Sequence, residues 1–259
     1  MNNFLNTKFN VENKVVLLTG AGGHLVGEMS RSLAKAGMKV VCCDYKLELA
    51  EKTVKEITDA GGVALALEID VRKKADHERA LAETVRAFGQ LDCVLNGAGS
   101  NAPTPFFDIP LEEWNNIIAV QLTGTMLACQ VYGKYMVDRK QGSIINISSA
   151  SSGPPLSKAF TYSVAKSGVK NLTQNLAREW GTSGVRVNAL RPGFFPTEWS
   201  MKHFISPERE AAILGHTAMQ RYGKPEELVG AVLWMFSDAA GFVTGAEIEV
   251  DGGFTAMTI

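Results

Sequence analysis

The stretch Lys14-Val-Val-Leu-Leu-Thr-Gly-Ala-Gly-Gly-His-Leu-Val-Gly27 decides how the chain is to be read. An unbroken apolar run reads as a strand buried on both faces, the situation in a parallel sheet. It passes directly into glycines, and an amphipathic stretch at 28–36 follows, ended by Gly37. The same strand–turn–helix unit recurs outward from there. Strands are expected at 14–19, 39–43, 63–69, 93–95, 143–147, 185–190 and 247–250. Helices are expected at 28–36, 47–60, 75–88, 111–137, 160–180 and 225–236. Such alternation predicts an α/β fold on a parallel sheet. Residues 194–215 are less periodic and rich in Phe, Met and His, and read as a lid or substrate loop. With no linker or repeat, residues 14–259 read as one domain behind an extension at 1–13.

Bulk properties narrow the function. At 259 residues and 28.0 kDa the chain suits one large domain with a substantial core. A net charge of -1 and a pI near 6.4 speak against a nucleic-acid groove or an anionic membrane as partner. No apolar run reaches the ~18 residues of a spanning helix, and the first residues lack the basic and apolar regions of a secretory signal. The four cysteines, Cys42, Cys43, Cys93 and Cys129, show neither a disulfide framework nor a zinc spacing, and read as buried reduced thiols. A cytoplasmic protein acting on a small molecule is expected.

Three features carry chemistry. Glycines between a strand and a helix let backbone amides approach a pyrophosphate, although alone such a loop is equally an ordinary flexible turn. The second strand ends in Asp44, placed to bond the ribose hydroxyls of an adenosine. Its carboxylate would repel a 2′-phosphate and so favours NAD over NADP, a preference that Lys46 could soften. The third feature is Phe160-Thr-Tyr-Ser-Val-Ala-Lys166, with Ser149 thirteen residues before Tyr162. A phenol ionises near pH 10 and is a poor acid–base group at neutrality. A lysine four residues along the helix shares its face and would lower that pKa, and a serine from another element can hold a substrate oxygen. Tyr-x-x-x-Lys alone is weak; the frame around it gives it meaning.

With these motifs in order, the sequence resembles the short-chain dehydrogenases/reductases from Lys14 to Gly253. The resemblance implies a Rossmann fold: a doubly wound parallel sheet of about seven strands with helices on both faces. The family's Thr-Gly-x-x-x-Gly-x-Gly falls on 19–26, with His24 and Val26 in place of two glycines. Asp70-Val71, Asn96-Gly-Ala-Gly99, Val187-Asn-Ala-Leu-Arg-Pro-Gly193, Thr197 and Gly252-Gly253 match further family segments. By resemblance, the cofactor would touch Gly20, Gly22, Gly23, His24, Leu25, Asp44, Asp70, Val71, Asn96, Gly97, Ala98, Tyr162, Lys166, Pro192, Gly193, Phe195 and Thr197. The catalytic group would be Ser149, Tyr162 and Lys166, with Gln121 where the family carries an asparagine that helps hold a relay water. Gln121 is equally readable as a helix residue bonded to backbone. The resemblance also implies a homotetramer packed through the 111–137 helix, the Tyr-Lys helix and the last strand. Ile117, Ile118, Val120, Leu122, Met126 and Leu127 make that helix more apolar than one buried stripe requires.

The substrate is the least determined feature. Segments 97–103, 192–197 and 216–219 and the ending Asp251-Gly-Gly-Phe254 resemble the branch acting on sugar acids, among them mannonate or fructuronate oxidoreductases and gluconate 5-dehydrogenases. Ala102 stands where that branch tends to have histidine. Asn101, Ser149, Ser151, Lys158, Phe194 and Trp199 are the candidate substrate contacts, with Glu198 and His203 further polar groups; Lys158 is the candidate for a carboxylate. Phe106, Phe107, Phe194, Phe195 and Trp199 equally permit a more apolar ketone, such as a 3-oxoacyl or steroid-like compound. The changes at His24, Val26 and Gln121 also admit a cofactor-binding protein with little turnover.

Overall fold

Seven strands form one sheet in the order β3-β2-β1-β4-β5-β6-β7, every neighbouring pair parallel. The strands are β1 Val15–Thr19, β2 Lys39–Asp44, β3 Val63–Glu68, β4 Cys93–Asn96, β5 Gly142–Ile147, β6 Val185–Pro192 and β7 Glu247–Val250. The computed structural model describes residues 3–197, 200–202 and 205–258 (backbone only at 3 and 6). In β1 every residue is buried, because strands flank it and helices cover both faces. Successive side chains serve opposite cores: Val16 and Leu18 face one, Val15 and Leu17 the other.

The first core takes Val26, Met29 and Leu33 of α2 (His24–Lys35), Ala50 and Ile57 of α3 (Leu47–Asp59), and Val232 and Phe236 of a later helix, Val229–Phe236. The second takes Ala80 of the helix Lys74–Phe88, Tyr132 and Met136 of the helix over 111–139, and Ala177 of the helix Phe160–Trp180. We number the helices in chain order: α1 Asn3–Phe9, then α2 and α3, α4 Lys74–Phe88, α5 over 111–139, α6 Phe160–Trp180, α7 Pro207–Gly215 and α8 Val229–Phe236. Val11, in the segment read as an extension, is buried in the first core. No helix among the described residues is long and apolar enough to cross a membrane.

Three elements differ from the sequence reading. Helix α2 begins at His24 rather than at 28, directly after Gly23, which shortens the glycine loop. Gly27 thus lies inside α2, where a Cβ would come within 3.1 Å of the Ala21 carbonyl; it is a packing glycine, not part of the loop. Residues 194–215, expected to be irregular, contain α7: Pro207 opens it and the Ser206 side chain accepts the Arg209 amide at 3.3 Å. Two turns of helix with one buried residue, Ile213, leave too short an apolar pattern to stand out. Finally, α5 is interrupted by π-helical turns at Ala119–Thr123 and Cys129–Gly133. The second places Gly133 against the Trp180 ring of α6, where a side chain would collide.

Candidate active site

Because all strands run one way, the loops after β1, β2, β4, β5 and β6 leave from the same edge of the sheet. The winding reverses between β1 and β4, the position where ligands bind in such sheets. A cavity of about 1000 Å³ opens there, lined by residues from all five loops.

One end is a backbone cradle. Gly20 has φ +77, and a Cβ there would meet the Ala98 Cα at 2.9 Å. The Thr19 Oγ1 accepts the amides of Gly97 and Ala98 at 3.1 and 3.2 Å, fixing the β1 and β4 loops to each other. No side chain caps α2, so its first-turn amides face the cavity beside Gly20, Gly22, Gly23, His24 and Leu25. A glycine-lined cradle at a helix N-terminus suits the pyrophosphate of a dinucleotide. Beyond it, the Asp44 carboxylate accepts the amides of Gly22 at 3.0 Å and Lys46 at 3.2 Å. Asp70 forms a fork with Arg72 at 2.8 and 2.9 Å, a bonding that holds its carboxyl below the usual range. Val71 lines the same end.

The middle wall is made by the β5 loop and α6. Ser149, Ser151, Tyr162 and Lys166 all line the cavity. Lys166 is 4% exposed, and its Nζ donates to the Ile147 carbonyl at 2.6 Å and lies 5.5 Å from the Tyr162 ring centroid. Burial lowers its pKa to about 7. Tyr162 does not show the lowered pKa expected from its lysine: enclosure pushes the phenol up, and only the hydrogen bond to Ser149 pulls it down. The physical reason is that burial penalises the phenolate by more than the Ser149 bond stabilises it. The Ser149 Oγ also accepts from the Ser151 amide at 3.2 Å and hydroxyl at 3.1 Å. Gln121, in the first π-turn of α5, donates from Nε2 to the Ser100 carbonyl at 2.7 Å. Gln121 lines the same cavity, and its Oε1 is buried beside Gly99 without a hydrogen-bond partner among the described residues.

A buried charge network braces the serine loop from behind. The Glu247 Oε1 accepts the hydroxyls of Ser148 at 2.6 Å and Ser152 at 2.8 Å, while Lys170 and Arg191 approach Oε2 at 2.9 and 3.4 Å. Arg191 donates to the Ala150 carbonyl at 3.2 Å. Burial raises the Glu247 pKa, but its bonds to Ser148, Lys170 and Ser152 outweigh this and leave the carboxyl below its usual range. Both neighbours of Ser149 are therefore tied down.

At the mouth stand Asn101, Leu156, Lys158, Phe194, Phe195, Thr197, Ser200 and Arg209, and Pro192 lines the wall behind. Two expected cofactor contacts lie off the cavity. Asn96 is buried beneath it and donates to Asn146 at 2.8 Å, tying β4 to β5. The Gly193 amide donates to the Val250 carbonyl at 3.0 Å, and its α-carbon packs on Asp251. Trp199, Glu198 and His203 lie outside the described residues. Sequence reasoning missed Arg209, Leu156, Ser200 and Arg72 as lining groups. Only Arg209 carried a signal, as a cation within the region read as a lid.

A family model described as enoyl-(acyl carrier protein) reductase matches residues 26–255. An uncharacterized oxidoreductase of Bacillus subtilis is 37% identical, over 96% of this chain and 97% of its own. The 3beta-hydroxysteroid dehydrogenase 1 of Eggerthella lenta is 36% identical, over 95% of this chain and 95% of its own. Two solved structures share the fold closely. A putative D-mannonate oxidoreductase of Haemophilus influenza with bound NAD superposes with a TM-score of 0.91 at 33% identity, covering 96% of this chain and 97% of that one. A gluconate 5-dehydrogenase of Burkholderia cenocepacia in complex with NADP and tartrate gives 0.92 at 29% identity, covering 97% and 99%. The sheet order, the glycine cradle and these full-length likenesses agree: the chain belongs to the short-chain dehydrogenase/reductase family, oxidoreductases that use a nicotinamide cofactor.

Proposed function

We propose that the protein is an NAD(H)-dependent oxidoreductase that interconverts a secondary alcohol and a ketone on a small hydroxylated metabolite, a sugar acid or polyol. The observation that carries this reading is the convergence of Ser149, Tyr162 and Lys166 on one wall of a cavity whose far end is the glycine cradle and Asp44. The nicotinamide, when bound, supplies or accepts the hydride at the substrate carbon. The chain's own residues do the rest. Tyr162 gives or takes the proton at the substrate oxygen, Ser149 holds that oxygen, and Lys166 binds beside the phenol and shares its proton load. Gln121, which lines the same space and keeps an unpartnered Oε1, serves to position a proton-relay water. The site sits at the sheet's switch point and a cytoplasmic location suits its cofactor.

The sugar-acid or polyol class is supported by the likeness to the D-mannonate oxidoreductase and gluconate 5-dehydrogenase structures and by the hydroxyl and amide groups of Ser149, Ser151 and Asn101 in the cavity. An apolar ketone is the second reading, favoured by Leu156, Phe194 and Phe195 at the mouth and by the steroid dehydrogenase relative. NAD over NADP follows from Asp44, whose carboxylate would face a 2′-phosphate; the arginine lining that end, Arg72, is already paired with Asp70. Assembly as a homotetramer through α5 and α6 is supported by Ile118, Val120, Leu122, Met126 and Leu127, which remain only partly buried within the chain. Sedimentation should give a tetramer at micromolar concentration, and a monomer there excludes this assembly.

Tyr162→Phe keeps the ring and removes the proton. Turnover should fall by about 10²-fold or more with cofactor binding largely retained; near-native rates on a verified substrate rule out the assignment. In the same assay, a folded and fully active Gln121→Ala removes Gln121 from the relay. Asp44→Ala should weaken NAD by roughly 10- to 100-fold and erode the preference over NADP. Calorimetric titration checks this, and tighter NADP than NAD binding by the unmodified protein contradicts it.

Lys166 also makes a pH prediction. Its pKa falls from 10.5 to about 7 on folding, so the native site disfavours the ammonium. Its contribution to stability is complete above the unfolded value and is lost as pH falls through the folded one. Thermal melts of the cofactor-free protein should therefore show Lys166→Met gaining on the unmodified protein toward acid, by about 10 °C between pH 10 and pH 6. A difference in Tm that does not change with pH would count against the buried amine.

A further inference from the structure

The charges lining the cavity are unevenly placed. Its carboxylates, Asp44 and Asp70, stand at the cradle end, and Asp70 is neutralised by Arg72. The mouth holds two cations, Lys158 and Arg209, and neither forms an ion pair among the described residues. Arg209 is not simply a solvated side chain. It reaches from α7 across to the loop before α6, donating from Nη1 to the Ser157 Oγ at 2.7 Å and from Nη2 to the Ser157 carbonyl at 3.0 Å. Two of its donors are used and its full charge is left over.

The next residue is held just as deliberately. Lys158 has φ +59, the left-handed region that a lysine seldom occupies. Its carbonyl accepts from the Asn101 Nδ2 at 3.4 Å, and Ser157 before it is fixed by Arg209. Backbone in this region is strained and persists where the surroundings impose it, a pattern frequent at ligand clamps. Two loops and a helix thus set a pair of cations at the rim of a cavity whose reacting wall is Ser149 and Tyr162.

We propose that the substrate carries a carboxylate, and that Arg209, with Lys158 beside it, is the group that recognises it. The reacting hydroxyl or carbonyl lies at Ser149 and Tyr162, and the acid end of the same molecule lies at the mouth. This narrows the sugar-acid-or-polyol reading to the acid and rests on that reading. A guanidinium already anchored through two of its donors is pre-organised for the remaining bonds, and it loses little side-chain freedom when an anion arrives. An apolar ketone offers neither cation a partner and gains nothing from them.

Initial rates with NAD over matched pairs test the proposal, each pair being an aldonate and the alditol of the same stereochemistry, or a ketoaldonate and its ketose with NADH. The unmodified protein should favour the acid of its preferred pair by about 100-fold in kcat/KM. Arg209→Gln should narrow that preference roughly 10- to 100-fold through the KM of the acid, and Arg209→Lys should restore part of it. Lys158→Met, at an exposed side chain, gives a second and smaller narrowing that does not depend on Arg209 variants folding. Equal turnover of acid and alditol, or an unchanged preference in both Arg209→Gln and Lys158→Met, overturns the carboxylate assignment and leaves the oxidoreductase reading intact. Faster turnover of apolar ketones than of any hydroxylated pair, or no turnover of any pair by protein that still binds NAD, overturns both.

Discussion

A sheet whose strands all run one way has one chemical edge. Each strand ends at the same side, so the loops after β1, β2, β4, β5 and β6 converge there. The reversal of winding between β1 and β4 opens a cleft between them that no crossover helix fills. The glycine cradle, Asp44 and the Ser149 loop have no contact in sequence. They share a cavity because strand direction leaves them no other place to be. The core enforces that direction: β1 is buried on both faces, and its alternate side chains feed two separate apolar layers. Burying so much apolar surface stabilises the frame enough to hold polar groups in places they would not choose.

Those groups are the second theme. Lys166 is almost wholly buried and keeps one bond, to the Ile147 carbonyl, at the expense of its charge. Behind the serine loop the opposite solution is used: Glu247 stays ionised because hydroxyls and cations surround it. Burying an isolated ion costs several kcal/mol, and a bonded network offsets that cost. One buried group is thereby made easy to titrate and the other hard. The first belongs where a proton must move; the second belongs where a loop must stay still.

Much of the fold was legible in the residues. The first six strands were marked by short apolar runs, β7 by the alternation Glu247-Ile-Glu-Val250, and α6 by its length and its end at Trp180. The starts of α2 and α7 were not, each for its own reason. At the N-terminus of α2 the helix begins inside the glycine motif, where no side-chain cap marks it. Helix α7 has a cap, Ser206, but is too short for its apolar face to show. The π-turns of α5 were equally invisible, since they answer to packing across helices, as at Gly133 against Trp180. In the site, Asn96 looked like its neighbours Gly97 and Ala98, yet strand alternation turns its side chain down toward Asn146.

What the sequence determined by itself was therefore local: apolar runs, glycines, and the spacing of Ser149, Tyr162 and Lys166 are set by period and by backbone permissiveness. What only the tertiary structure decided was everything that depends on distance between segments. It withdrew Lys166 from water and so lowered its pKa, and it raised rather than lowered that of Tyr162. It braced the serine loop with a glutamate from the last strand and brought Arg209 to the rim beside Lys158. Solvation and long-range contact are properties of the packed chain, and no periodicity along the sequence encodes them.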